Sequence, residues 1–230
     1  MQQFFSYIPI LTTILSAWFL IELVPHAFEK KRTYLFWWAF GVLTFGLGTL
    51  AESVHAFMGW QETNFRFWYI VGALLGGFPL AQGSVYLLLP RKFGHATTLI
   101  LSTFLLVAMY MVWAAPLVIP SDFDGRLSGQ IFGWQEVRYF SPVLNLYAFI
   151  FLVGGAIYSA RQYYAKGLRE APFLGNIYIA IGGLLPGIGG SFTRAGWVEV
   201  LFVTELLGLL LIFYGYRLIR RSRIATLTRG

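Results

Sequence analysis

Seven runs of about twenty apolar residues dominate this chain, each long enough to cross the hydrocarbon core of a bilayer as a helix. They cover residues 7–28, 34–58, 67–89, 97–117, 143–163, 173–192 and 197–219. Backbone placed in hydrocarbon must satisfy its own N–H and C=O groups, which helices do within a single segment. The sequence therefore predicts one all-α integral membrane domain over 1–230, built as a seven-transmembrane-helix bundle. Only 12% of the 230 residues are charged, against roughly a quarter in a soluble domain. Connections are too short for a second domain. The longest, 118–142, is expected to form an external loop, either a small hairpin or an interfacial segment. Within it, Asp122 and Asp124 precede Gly125, which reads as a turn because the further ligands of a calcium loop are missing.

Basic residues set the expected orientation. Lys30, Lys31 and Arg32 follow the first run, Arg91 and Lys92 the third, and Arg161, Lys166 and Arg169 the fifth. Arg217, Arg220, Arg221, Arg223 and Arg229 close the chain, with 220–230 read as a basic cytoplasmic tail. The opposite side carries Arg66, Arg126, Arg138 and Arg194 together with Glu62, Asp122, Asp124 and Glu136. The positive-inside rule then predicts the N-terminus outside and the C-terminus in the cytoplasm. The formal charge of +7 sits between and after the spans, so it reads as a topology signal and a contact with anionic headgroups of the lipid bilayer. Nucleic acid is not an expected partner. The first run lacks a basic leader and a small-residue cleavage site, so it is expected to stay as a helix. Without eukaryotic targeting features, the expected location is a bacterial inner (plasma) membrane.

Polar residues inside the runs mark the candidate site. Glu52 lies eight residues before Trp60, and Glu205 lies eight residues after Trp197. At 1.5 Å per residue both carboxyl groups sit roughly 12 Å below an aromatic anchor, a shared depth that permits contact. A charged side chain at mid-bilayer costs roughly 2.5–3.5 kcal/mol on insertion scales, so it is expected to face the bundle interior and to have a partner. His55 shares a helix face with Glu52, and Asn145, Arg194 and Glu199 fall in the same half of the membrane. Glu52, His55, Asn145, Arg194, Glu199 and Glu205 are therefore the candidate ligand-binding residues of an outward-facing pocket. The competing reading pairs Glu52 with His55 and Glu199 with Arg194 to hold helices together. Glu22 is expected to snorkel or to pair with Arg217 or Arg220, and Gln82 to make an interhelical hydrogen bond.

Glycine and proline predict where the helices bend or approach. In IGGLLPGIGG, Pro186 removes a backbone donor and Gly187 weakens the helix, so a kink or local unwinding is expected there, as a hinge or through close packing. Gly72 with Gly76, and Gly183 with Gly187, are spaced by four and suit close helix contact. Pro79 is expected to kink the third helix.

Residue inventory excludes several functions. The chain has no cysteine, hence no disulfide, thiolate metal site, c-type haem attachment or cysteine nucleophile. Seven helices in this orientation are similar in plan to microbial rhodopsins, but the last run has no lysine, so covalent retinal is excluded. His26, His55 and His95 lie at scattered depths, which argues against a catalytic zinc like that of the membrane ceramidases and against bis-histidine haem. The plan also resembles the seven-helix sensor regions that precede some bacterial histidine kinases, in topology and length. That resemblance implies an outside N-terminus and an output through a separate cytoplasmic or membrane partner protein. The leading expectation is a sensor- or receptor-like module that binds a small or lipophilic ligand. A small proton- or cation-coupled transporter and an accessory subunit of a membrane complex are the alternatives, and enzymatic chemistry is the least supported.

Overall fold

A computed structural model describes residues 7–121, 123, 125–167, 170–194 and 196–227, without the side chains of Arg194 and 223–227. Asp122, Asp124 and Arg169 lie outside the described residues. Seven helices follow one another in the chain: α1 Ile8–Lys30, α2 Thr33–Met58, α3 Glu62–Leu88, α4 Arg91–Ala114, α5 Val137–Ala165, α6 Ala171–Arg194 and α7 Val198–Leu227. All seven are long and apolar enough to cross a membrane. Side-chain placement supports that reading, because Ile21 (72% exposed) and Leu99 (71%) point outward at mid-helix while Glu52 (3%) and Gln82 (0%) point inward. Apolar groups cover the outside and polar groups gather inside, which suits lipid as the surrounding solvent. The chain is a multi-pass membrane protein.

α3 begins five residues before its apolar run and is broken at its centre. A regular turn set over Glu62–Trp68 passes into π-helix over Tyr69–Leu74, and regular helix resumes only at Phe78–Leu88. Pro79 stands in the first turn of the second half, where its missing N–H is tolerated. It leaves the carbonyl of Leu75 without the helical donor four residues on, and the Thr44 hydroxyl of α2 donates to that oxygen at 3.4 Å. The expected kink at Pro79 is thus a full interruption.

The second half of α3 is tied into the bundle through Gln82. Its Nε2 donates to the Gly94 carbonyl at 2.8 Å and to Thr98 Oγ1 at 2.9 Å, and its Oε1 accepts from Tyr147 at 2.5 Å. One amide thereby joins α3, α4 and α5.

α6 and α7 make the most extensive helix pair. Gly175, Gly182 and Gly189 recur every seven residues on α6, and Leu201, Gly208 and Gly215 do the same on α7. They meet in antiparallel register: a Cβ on Gly182 would lie 2.5 Å from the Gly208 carbonyl oxygen, and one on Gly208 would lie 2.7 Å from that of Gly182. Seven-residue spacing is the period of left-handed helix pairs, and small residues allow backbone contact. Of the kink or local unwinding expected around Pro186 and Gly187, the unwinding does not occur, since α6 is continuous across both. The physical reason lies on α7. Pro186 deprives the Gly182 carbonyl of its helical donor, and that oxygen lies against the open Cα side of Gly208, which packs on the helix at that point. Gly183 accommodates Leu152 of α5, whereas nothing lies within 4 Å of a Cβ at Gly187.

The described residues of segment 115–136 fold over one end of the bundle. Leu117 pairs with Phe132 in a single antiparallel bridge, with Val118 N–H donating to Ile131 O at 2.8 Å. Phe132 is fully buried against Phe65 and Tyr69, at ring separations of 5.1 and 4.9 Å. Residues 137–142, expected in this loop, already belong to α5. Buried Arg66 anchors the segment by donating to the carbonyls of Val112, Trp113 and Ala115 at the end of α4, and Glu62 holds the guanidinium from behind at 2.8 Å.

Candidate functional site

Glu52 reaches the interior because α2 and α3 come together at glycine. A Cβ on Gly48 would lie only 3.2 Å from the Gly72 Cα, so the two backbones touch there. That contact brings the Trp68 indole across, and its Nε1 donates to Glu52 Oε1 at 3.0 Å. Beside it, Asn64 donates to the Ala51 carbonyl at 2.8 Å, locking the same two helices. On the other flank, Thr13 of α1 and Thr49 of α2 share a hydroxyl hydrogen bond of 2.9 Å.

Glu205 arrives from α7. Its neighbour Thr204 packs on Gly189 in the glycine seam, which turns the next side chain away from α6. The carboxyl groups of Glu52 and Glu205 lie within hydrogen-bonding reach of each other. Equal depth permitted this contact, and the fold makes it. Glu205 as a residue keeps partial exposure, yet its Oε2 is itself buried. Neither Glu205 Oε2 nor Glu52 Oε2 has a hydrogen-bond donor among the described residues. Two neighbouring carboxyl groups in such a setting need a proton or a cationic group between them, since ionised carboxyl oxygens only accept.

The other residues expected here are placed differently. His55 is half-buried one turn from Glu52, and its buried Nδ1 has no hydrogen-bond partner among the described residues. Glu199 is half-buried in the first turn of α7. Six residues from Glu205 rotate it roughly 120° around the helix, off the shared face. Asn145 is exposed on α5 and donates to Ser141 at 3.1 Å, away from Glu52. Arg194 ends α6 with its side chain outside the described residues, so its expected pairing with Glu199 lies there too. Glu22 binds Arg217 at 3.2 Å at the far end of the bundle. Among the described residues no group of three His, Asp or Glu side chains could hold a metal ion.

Trp68 is the member of the site that sequence reasoning missed. Glu52 and Trp68 each stand eight residues from Trp60, so an antiparallel α2–α3 pair that turns near Trp60 brings them level. Trp68→Phe keeps the ring and removes the donor, leaving both Glu52 oxygens dependent on Glu205. A loss of about 1.5–3 kcal/mol is expected, the range for a hydrogen bond to a charged group. Thermal unfolding in detergent would read it, and an unchanged midpoint would mean that the Trp68 bond does not hold the carboxyl pair.

Comparisons with protein-family models, curated proteins and solved structures found no match.

Proposed function

We propose that this protein is a receptor-like module of a bacterial inner membrane in which Glu52 and Glu205 hold the cationic group of a small or lipophilic molecule. The observation that carries this reading is the neighbouring pair of carboxyl groups, each with a buried oxygen that has no donor among the described residues. The charge pattern supports an outside N-terminus and a cytoplasmic C-terminus, which puts the pair in the outer half of the membrane. A groove of about 260 Å³ between α1 and α2, lined by Ile10, Thr13, Leu50, Ser53 and Phe57, runs past the same level. Its apolar walls suit a ligand that approaches through the lipid. Signal output would pass to a separate cytoplasmic or membrane partner.

Dodecylamine is a suitable first probe, with an ammonium head for the carboxyl pair and an alkyl chain for the groove. Wild-type protein is expected to show saturable thermal stabilisation by it. Glu52→Gln and Glu205→Gln should each weaken the apparent affinity by roughly tenfold or more, because a charge-assisted bond of 1.5–3 kcal/mol is lost. Equal stabilisation of all three proteins would overturn the assignment. The interrupted α3 favours a second reading, a proton-coupled carrier, since broken helices line the binding sites of many transporters. Proton flux into liposomes that disappears in Glu205→Gln would select it.

A further inference from the structure

A second site lies at the opposite end of the bundle. There every helix except α4 contributes to one half-enclosed cavity of about 80 Å³. Much of its lining is apolar, with Leu35, Trp38, Leu152, Ala156 and Ile179 buried there. Hydrogen-bonding groups complete the lining: Tyr34, Asn176, Ser159 and Tyr216, with His26 Nδ1 bonded to the Tyr216 hydroxyl at 2.7 Å. Arg220 supplies the charge, and no acidic residue among those described lines the cavity. The nearest carboxylates are engaged elsewhere, Glu22 with Arg217 at 3.2 Å and Glu29 with Lys30 at 2.8 Å. Trp38, 7% exposed, adds an indole Nε1 that is buried with no acceptor.

We propose that this cavity binds an anionic head on a short aliphatic chain, with the head at Arg220 and Tyr216 and the chain against Trp38 and Leu152. Charge decides the head, because the one full charge among the described lining residues is positive and the buried Trp38 Nε1 adds a donor without an acceptor. Volume decides the chain: about 80 Å³ is roughly half of a cavity that takes benzene, which leaves room for a few methylenes and no ring system. The same chemistry is offered by a free aliphatic acid from the aqueous side and by an anionic phospholipid from the bilayer. This site shares no residue with the Glu52–Glu205 pair, so each stands or falls alone.

The test uses the whole chain in nanodiscs of phosphatidylcholine, titrated with sodium hexanoate or supplemented with phosphatidylglycerol, and read by thermal unfolding and native mass spectrometry. Hexanoate should stabilise the wild type saturably. Arg220→Gln should raise its apparent Kd about tenfold, as should Ser159→Leu, which adds bulk to the lining without touching the charge. Hexan-1-ol, with the same tail and no charge, should not distinguish wild type from Arg220→Gln. Stabilisation by phosphatidylglycerol alone, with the same dependence on both variants, supports the same site with lipid as the source. Response to neither compound in the wild type, or equal response in wild type and both variants, overturns the proposal.

Discussion

Gly182→Ala is expected to destabilise the protein by about 2 kcal/mol or more, while Gly187→Ala, five residues further along the same helix, should be neutral or mildly stabilising. The two glycines look equivalent in IGGLLPGIGG. In the fold, a methyl on Gly182 would press on the Gly208 carbonyl at 2.5 Å and on the Ile212 backbone N at 3.0 Å, and backbone cannot yield as a side-chain tip can. Relief would require α6 and α7 to separate along the whole seam, because the same register repeats at Gly175 with Gly215 and at Gly189 with Leu201. Gly187 has open space around it, so alanine there gains helix propensity and meets nothing. Reversible unfolding in mixed detergent micelles measures both variants. Equal losses at the two positions would refute the seven-residue seam.

Arg66→Ala is the second large effect, with about 3 kcal/mol expected, and Arg66→Lys should recover less than half of it. The Arg66 side chain is 7% exposed and donates to three carbonyls at the end of α4 as well as to Glu62. Those carbonyls have no helical donor, since α4 stops at Ala114. Alanine would strand them in a buried setting, and stranded acceptors cost more than the bonds themselves contribute. Lysine restores the charge, but its ammonium cannot reproduce a planar fork that spans α4 and Glu62 together. Limited proteolysis within 115–136 should accelerate in both variants. A cleavage rate that matches the wild type in Arg66→Ala would show that this segment is held by Phe132 and its aromatic neighbours instead.

The seven spans were legible because crossing hydrocarbon demands length and apolarity, and both are plain in the sequence. Their ends were less so. Arg66 closes an apolar run, so α3 reads as starting at 67, yet the guanidinium is buried inside the helix that begins at Glu62. Residues 137–142 read as loop through Arg138, Ser141 and Pro142, although all three sit in α5. Depth could be counted along each helix, which levelled Glu52 with Glu205. Neighbourhood could not, because lipid-facing and partner-facing sides of such helices are both apolar and periodicity does not separate them. For that reason Asn145 reads as a companion of Glu52 and in the fold faces outward. Glycine spacing carried more than it first conveys: the four-residue pairs draw attention to Gly187, while the seven-residue series through Gly182 forms the contact.

The interruption of α3 bears on how the protein is made. α3 is broken at its centre, and it leaves Leu75 O to Thr44 of an earlier helix and Gln82 to Gly94, Thr98 and Tyr147 of later ones. Its window is also the most buried of the seven. During synthesis α3 therefore emerges before the residues that complete it, and a nascent chain ending after α3 would present an unanswered amide to lipid. Settlement of the bundle waits for α5, and a ribosome stalled between α3 and α5 would hold a chain that membrane quality control can distinguish from the finished one.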